Sequence, residues 1–210
     1  GEIRAFDRSL GVLRRSLREL GVAENTIVWF CSDNGGLPDD PAAVGNLRGR
    51  KGSVWEGGLR VPGIIEWPAV AAPRATKYPA ATMDIFPTLA DIVGLPASCM
   101  TTPIDGISLL PLLKERIAAR EKPIPFRYRD RGALVDNNYK LVATGIKKGV
   151  FALYDLAADP GETTDIAGKK PAVFARLKKA FLQWNAAVEA SIRGRDYPAG
   201  RVRDGEPKPH

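Results

Sequence analysis

The 210-residue chain is poor in the residues on which many metal and redox sites depend: it has one histidine, His210 at its last position, and two cysteines, Cys31 and Cys99. Two cysteines make no disulfide framework and match no zinc spacing. Cys31 lies inside an apolar run and reads as a buried, inert thiol. There is no Asn-x-Ser/Thr sequence, so a heavily glycosylated secreted or lysosomal protein is not expected. No apolar run approaches the roughly 20 residues needed to cross a bilayer, so no membrane span is expected. The net charge of +7 is not concentrated: five arginines fall along residues 4–18, with further basic clusters at 48–51 and 127–131. No basic run carries interleaved aromatics, and a dedicated nucleic-acid binder is not expected. An initiator methionine and a signal peptide are also missing, and the chain is expected to have been cut from something longer. Its richness in Ala, Arg and Pro suits a bacterium.

What is present suffices for one sizeable core, or for one core with a smaller appended unit. Ile3, Phe6, Leu10, Leu13, Leu17 and Leu20 recur at spacings of three and four, which predicts an amphipathic helix with a solvated basic face, stopped by Gly21. Thr26 to Cys31 is apolar without alternation, as expected of a strand covered on both faces. Residues 35–60 read as a long loop, a length that in compact domains is often functional. Val61–Trp67 is a second strand candidate, and Asp84 is placed to cap a helix running through Val93. Beyond residue 100, short strand-like runs at Pro125–Arg129, Ala133–Asp136, Tyr139–Ala143 and Val150–Tyr154 predict a small antiparallel sheet. Pro171 opens a helix whose Val173, Leu177, Phe181, Trp184 and Val188 form one stripe that would cover this sheet. The expected division is residues 1–100 in an α/β domain, 101–193 in a small subdomain and 194–210 as a flexible tail.

Two stretches could carry chemistry. In Ser32-Asp33-Asn34-Gly35-Gly36 the residue types favour a plain turn, because Asn and Gly tolerate positive φ. The alternative is a pair of oxygen ligands at the carboxyl end of a strand, where open α/β sheets bind their ligands. A carboxylate beside an amide oxygen suits a hard cation such as Ca²⁺, with Mg²⁺ second. The other stretch, LRGRKGSVWEGGLRVP over residues 47–62, is a basic, glycine-rich loop that does not fit a phosphate-binding Walker sequence. Lys51 beside a cation could bind an oxyanion through charge-assisted hydrogen bonds. Gly57 and Gly58 would let the backbone turn tightly.

Taken in order, these stretches closely resemble the type I sulfatases of the alkaline phosphatase superfamily. The resemblance continues through Gly63-Ile64-Ile65-Glu66-Trp67-Pro68, Met83-Asp84-Ile85-Phe86-Pro87-Thr88-Leu89 and Asp105-Gly106-Ile107-Ser108-Leu109. It extends to Tyr139-Lys140-Leu141, Leu153-Tyr154-Asp155-Leu156 and Asp159-Pro160-Gly161-Glu162. It implies an α/β fold, the carboxy-terminal part of the sulfatase sandwich, with a small antiparallel sheet packed on a C-terminal helix. It implies that Asp33 and Asn34 are two ligands of an active-site calcium and that Lys51 contacts the sulfate ester, with Arg48 facing the substrate or solvent. Glu56 would hold the glycine-rich loop from behind.

The family's nucleophile is a formylglycine made from the first residue of Cys/Ser-x-Pro-x-Arg, and no such sequence occurs in these 210 residues. The resemblance therefore implies hydrolysis of a sulfated carbohydrate or aryl sulfate by an intact, periplasmic or secreted enzyme, and essentially no turnover by this chain alone. A phosphonate or phosphate monoester hydrolase of the same superfamily, and a non-catalytic binding module, stand as alternatives.

Overall fold

The computed structural model describes residues 1–37, 44–100 and 102–195. The expected tail, including His210, lies outside these residues apart from 194 and 195. In chain order the elements are α1 (Glu2–Glu19), β1 (Val28–Cys31), α2 (Glu56–Leu59), β2 (Gly63–Glu66), α3 (Ile85–Ile92) and α4 (Leu110–Lys114). They continue as β3 (Ile124–Tyr128), β4 (Arg131–Asp136), β5 (Tyr139–Gly145), β6 (Val150–Asp155) and α5 (Pro171–Ile192). The chain divides into two compact units, residues 1–35 with 60–120, and residues 36–59 with 121–210. This division differs from the expected one at residue 100, since the stretch up to Arg120 stays with the first unit and the glycine-rich loop joins the second.

In the first unit, β1 pairs antiparallel with β2, with Trp29 opposite Ile65 and Phe30 opposite Ile64. The sequence predicts a strand covered on both faces, but all four residues of β1 are only half-buried. Among the described residues β2 is its one strand partner, and a two-stranded ribbon cannot enclose both faces. The predicted first helix forms, and Gly21 ends it at φ 69°. None of its residues is buried: Phe6 touches the Phe30 ring with centroids 5.5 Å apart, while Ile3 and Leu20 stay exposed.

Asp84 precedes α3 as expected, but its carboxylate does not cap that helix. It receives two hydrogen bonds of 2.8 Å from the buried Arg120, one from the Ala81 N–H at 2.8 Å and one from the Ile107 N–H at 2.9 Å. Four donors satisfy an acid that has no exposed surface, as a charge taken out of water requires. Gly106 is needed beside it, because a Cβ there would lie 2.0 Å from the Met83 carbonyl oxygen.

The second unit is built on the four-stranded antiparallel meander β3-β4-β5-β6. Strand alternation gives it two apolar faces. Leu134, Leu141, Ala143 and Leu153 face α5, which inserts Leu177 and Phe181; all but Leu134 are fully buried. Burying each such side chain contributes about 1.5–3 kcal/mol. Ala133, Val142 and Tyr154 look the other way and are covered by Val54, Trp55 and Leu59 of the glycine-rich loop. That loop is therefore the second cover of the sheet.

Candidate functional site

Asp33 and Asn34 follow β1 in a bend. The bend does not use the positive φ that Asn and Gly tolerate. Asn34 is not at positive φ, and neither are Gly35 and Gly36, whereas Asn137 in the two-residue β4–β5 turn is at φ 53°. β1 pairs with a strand more than thirty residues further on, so no hairpin needs a turn here. The bend is held by the Ser32 hydroxyl, which donates to the Asn34 carbonyl at 3.0 Å, and by the Ser32 N–H, which donates to the Pro62 carbonyl at 3.4 Å. Asp33 is exposed. The Asn34 Oδ1 is buried and has no hydrogen-bond partner among the described residues. A buried amide oxygen left unpaired costs about 1–3 kcal/mol. A cation ligand would remove that cost, and a carboxylate with an amide oxygen is a donor set for a hard cation. The two residues fit part of such a site. Among the described residues no three His, Cys, Asp or Glu side chains group to complete one.

Lys51, Arg48, Glu56, Gly57 and Gly58 all belong to the second unit, and Asp33 and Asn34 to the first. Arg50 to Ser53 forms a β-turn, with the Ser53 N–H donating to the Arg50 carbonyl at 3.0 Å and Gly52 at φ 82°. A glycine at that φ in the third position is the requirement of a type II turn. Lys51 occupies the second position, and its exposed side chain leaves the turn from the tip. Its own N–H is tied to the Gly36 carbonyl at 2.9 Å.

Behind the turn, Gly57 and Gly58 are buried in α2. Neither has positive φ; close approach is what excludes a side chain. A Cβ on Gly57 would lie 2.2 Å from the Gly49 carbonyl oxygen, and one on Gly58 would lie 2.5 Å from that of Ser53. Arg48 is exposed over much of its length, but its guanidinium is engaged. It stacks 3.7 Å above the Trp55 ring and donates to the Glu162 carbonyl at 2.9 Å.

Glu56 anchors the loop to the sheet. Lys140 Nζ, fully buried in β5, donates to Glu56 Oε1 at 2.8 Å and lies 2.9 Å from Glu162 Oε1 as an ion pair without hydrogen-bond alignment. Glu162 Oε2 accepts the Glu56 N–H at 2.6 Å, at the start of α2. Glu162, itself at φ 52°, is fully buried, and burial raises its carboxyl above the usual range despite the neighbouring ammonium. Sequence reasoning finds Lys140 and Glu162 only as parts of matching stretches and assigns them no role. The available signal is a lysine and a glutamate in segments otherwise read as strand and turn.

The family model described as "Sulfatase" matches residues 1–95, and that described as "N-sulphoglucosamine sulphohydrolase, C-terminal" matches residues 50–187. Arylsulfatase A of Homo sapiens is 32% identical over 221 aligned residues, covering 87% of this chain and 43% of the human protein. The crystal structure of Ps i-CgsB in complex with k-i-k-neocarrahexaose superposes with a TM-score of 0.76 at 27% identity, covering 87% of this chain and 41% of that one. The phosphonate monoester hydrolase of Agrobacterium radiobacter superposes at 0.59 with 26% identity, covering 86% of this chain and 39% of that one. The chain belongs to the sulfatase family, with the α/β fold of that family's carboxy-terminal part. It spans less than half the length of the curated relatives it matches, 43% in the case of arylsulfatase A.

Proposed function

We propose that this chain carries part of the active site of a sulfatase that hydrolyses sulfate esters of carbohydrates or aryl alcohols. The observation that carries the reading is the buried Asn34 Oδ1, without a partner among the described residues, beside the exposed Asp33 carboxylate. These two side chains would hold a divalent cation, Ca²⁺ in preference to Mg²⁺, since mixed carboxylate and amide oxygens suit the larger ion's flexible shell. When bound, the cation polarises the sulfate group and favours ionisation of the nucleophile.

This chain's other residues position and neutralise. The Lys51 ammonium donates to a sulfate oxygen as the ester S–O bond breaks and negative charge grows on the departing oxygen. Arg48, with its guanidinium held over Trp55, stiffens the loop from which Lys51 projects and presents positive charge to the substrate side. Glu56, Gly57 and Gly58 keep the loop on the sheet. The formylglycine nucleophile belongs to sequence outside these 210 residues.

The test uses the intact enzyme and compares wild type with Asp33→Ala. Calorimetry should find Ca²⁺ affinity lowered by at least about tenfold, in keeping with the loss of one carboxylate ligand. Hydrolysis of 4-nitrophenyl sulfate should fall with it. Unchanged affinity and turnover would remove the assignment. A phosphonate monoester assayed in parallel separates the rival chemistry of the superfamily.

A further inference from the structure

The basic residues that the sequence scatters are gathered by the second unit at one end of its four-stranded sheet. The β3–β4 and β5–β6 turns lie side by side there. The Ile146 N–H donates to the Asp130 carbonyl at 2.9 Å, and the Lys147 N–H donates to the Asp130 carboxylate at 3.0 Å. The last turns of α5 reach the same end, because Glu189 pairs with Arg127 of β3 at 2.5 Å and with Arg193 at 3.9 Å. The hydrogen bond from Arg127, then the charges of Arg127, Arg193 and Lys147, hold the Glu189 carboxyl below its usual range. Two arginines thus pair with one carboxylate, with the charge of Lys147 felt there as well. Arg129, Arg131 and Lys148 stand exposed around them, with Asp130 as the only acid among the turn residues.

One donor in this cluster has no hydrogen-bond partner among the described residues. Arg127 directs Nη2 to Glu189 and Nε to the Arg129 carbonyl, but its Nη1 is buried with no hydrogen-bond partner among the described residues. An unpaired guanidinium N–H within an excess of positive charge is matched by an anionic oxygen, where charge-assisted bonds are strongest. The cluster is separate from the anchor of the Lys51 loop. Lys140 lies at the opposite end of β5, about 17 Å from Gly145 at the strand's usual rise.

We propose that this end of the sheet is an accessory binding surface for a sulfated polysaccharide, engaging sulfate groups other than the one being hydrolysed. The choice of glycan rests on the sulfatase reading above. Single-stranded nucleic acid fits less well, because base stacking needs open aromatic faces and the exposed Tyr128 ring already has the Arg129 guanidinium over it at 5.2 Å.

The experiment measures binding of the intact enzyme to dextran sulfate across a salt series, for wild type and for Arg129→Asn/Lys147→Ser/Lys148→Ser. All three positions are exposed, and asparagine tolerates the positive φ of residue 129. The triple variant should lose at least about tenfold in affinity near 0.1 M salt and show a shallower salt dependence. Hydrolysis of 4-nitrophenyl sulfate should stay at the wild-type rate. Unchanged dextran sulfate affinity overturns the proposal, and so does tighter binding of single-stranded DNA of equal charge. A wild-type enzyme that hydrolyses no small sulfate ester would fail the sulfatase reading instead, while the binding series still decides the surface.

Discussion

Lys140 has no exposed surface, yet it sits near the start of β5, where the residues that follow it, Leu141 and Val142, are core residues. Its charge is tolerated because Glu56 and Glu162 meet it. Removing the ammonium alone leaves two carboxylates buried against each other, a loss that for broken buried pairs runs to about 3–5 kcal/mol. Lys140→Met should therefore lower unfolding free energy by that amount in urea titrations. Adding Glu56→Gln and Glu162→Gln should restore most of it, since neutral groups need no counter-charge. A loss below about 1 kcal/mol for the single change would mean the pair is not buried as described.

At this scale the sequence is only partly legible. It offers Asp33, Asn34 and Lys51 as candidates through the resemblance alone. It does not reveal that Lys140 meets a glutamate 84 positions earlier, because strand periodicity says which face a residue takes and not what covers that face. For Asn34 the local sequence is ambiguous: Asn-Gly favours a turn, and the chain does bend there, but without positive φ and with a side-chain oxygen that has no partner among the described residues.

Among the elements, the meander and α5 were the most readable. Val173, Leu177, Phe181 and Trp184 pack on the sheet as their spacing predicts. β1 is half-buried, with β2 as its one strand partner among the described residues of a chain that spans less than half the length of its relatives. The α2 segment, Glu56–Leu59, is unreadable as a helix from propensity, with two glycines in four residues. Its glycines are selected by the carbonyls of Gly49 and Ser53, not by helix formation. Gly58→Ala should thus destabilise despite alanine's better helix propensity. The new Cβ meets backbone oxygens of Ser53 and Arg50 at 2.5 and 2.6 Å, and overpacking of this kind costs about 1–3 kcal/mol. Because the same backbone forms the Lys51 turn, turnover of the intact enzyme should fall as well. Wild-type stability and rate in this variant would show that the loop can shift freely.

For the whole molecule, the two units differ in how much core they own. The second holds fully buried side chains on both faces of its sheet, including Val142, Leu153, Leu177 and Phe181. In the first, α1 buries none of its residues, and both strands are at most half-buried. Local stability follows buried apolar contact. In hydrogen-exchange mass spectrometry, amides of β4 and β5 should exchange at least about tenfold more slowly than those of β1 and β2. Equal protection of the two sheets would contradict this ordering. The place of the stretch around Val54 in the second unit was illegible in the sequence, because it is earned through contacts with strands some eighty residues away.

That stretch also decides how the protein can be cut. The polypeptide crosses between units after Gly35, Leu59 and Arg120, so no single scission separates them. A piece beginning at residue 121 would keep every strand of the meander and all of α5. It would nevertheless open the Val142 face to water and leave Lys140 without Glu56. The smallest separable module is a split one: residues 121–195 together with a synthetic peptide of residues 44–59, which would dock as the missing layer in the manner of a complemented fragment.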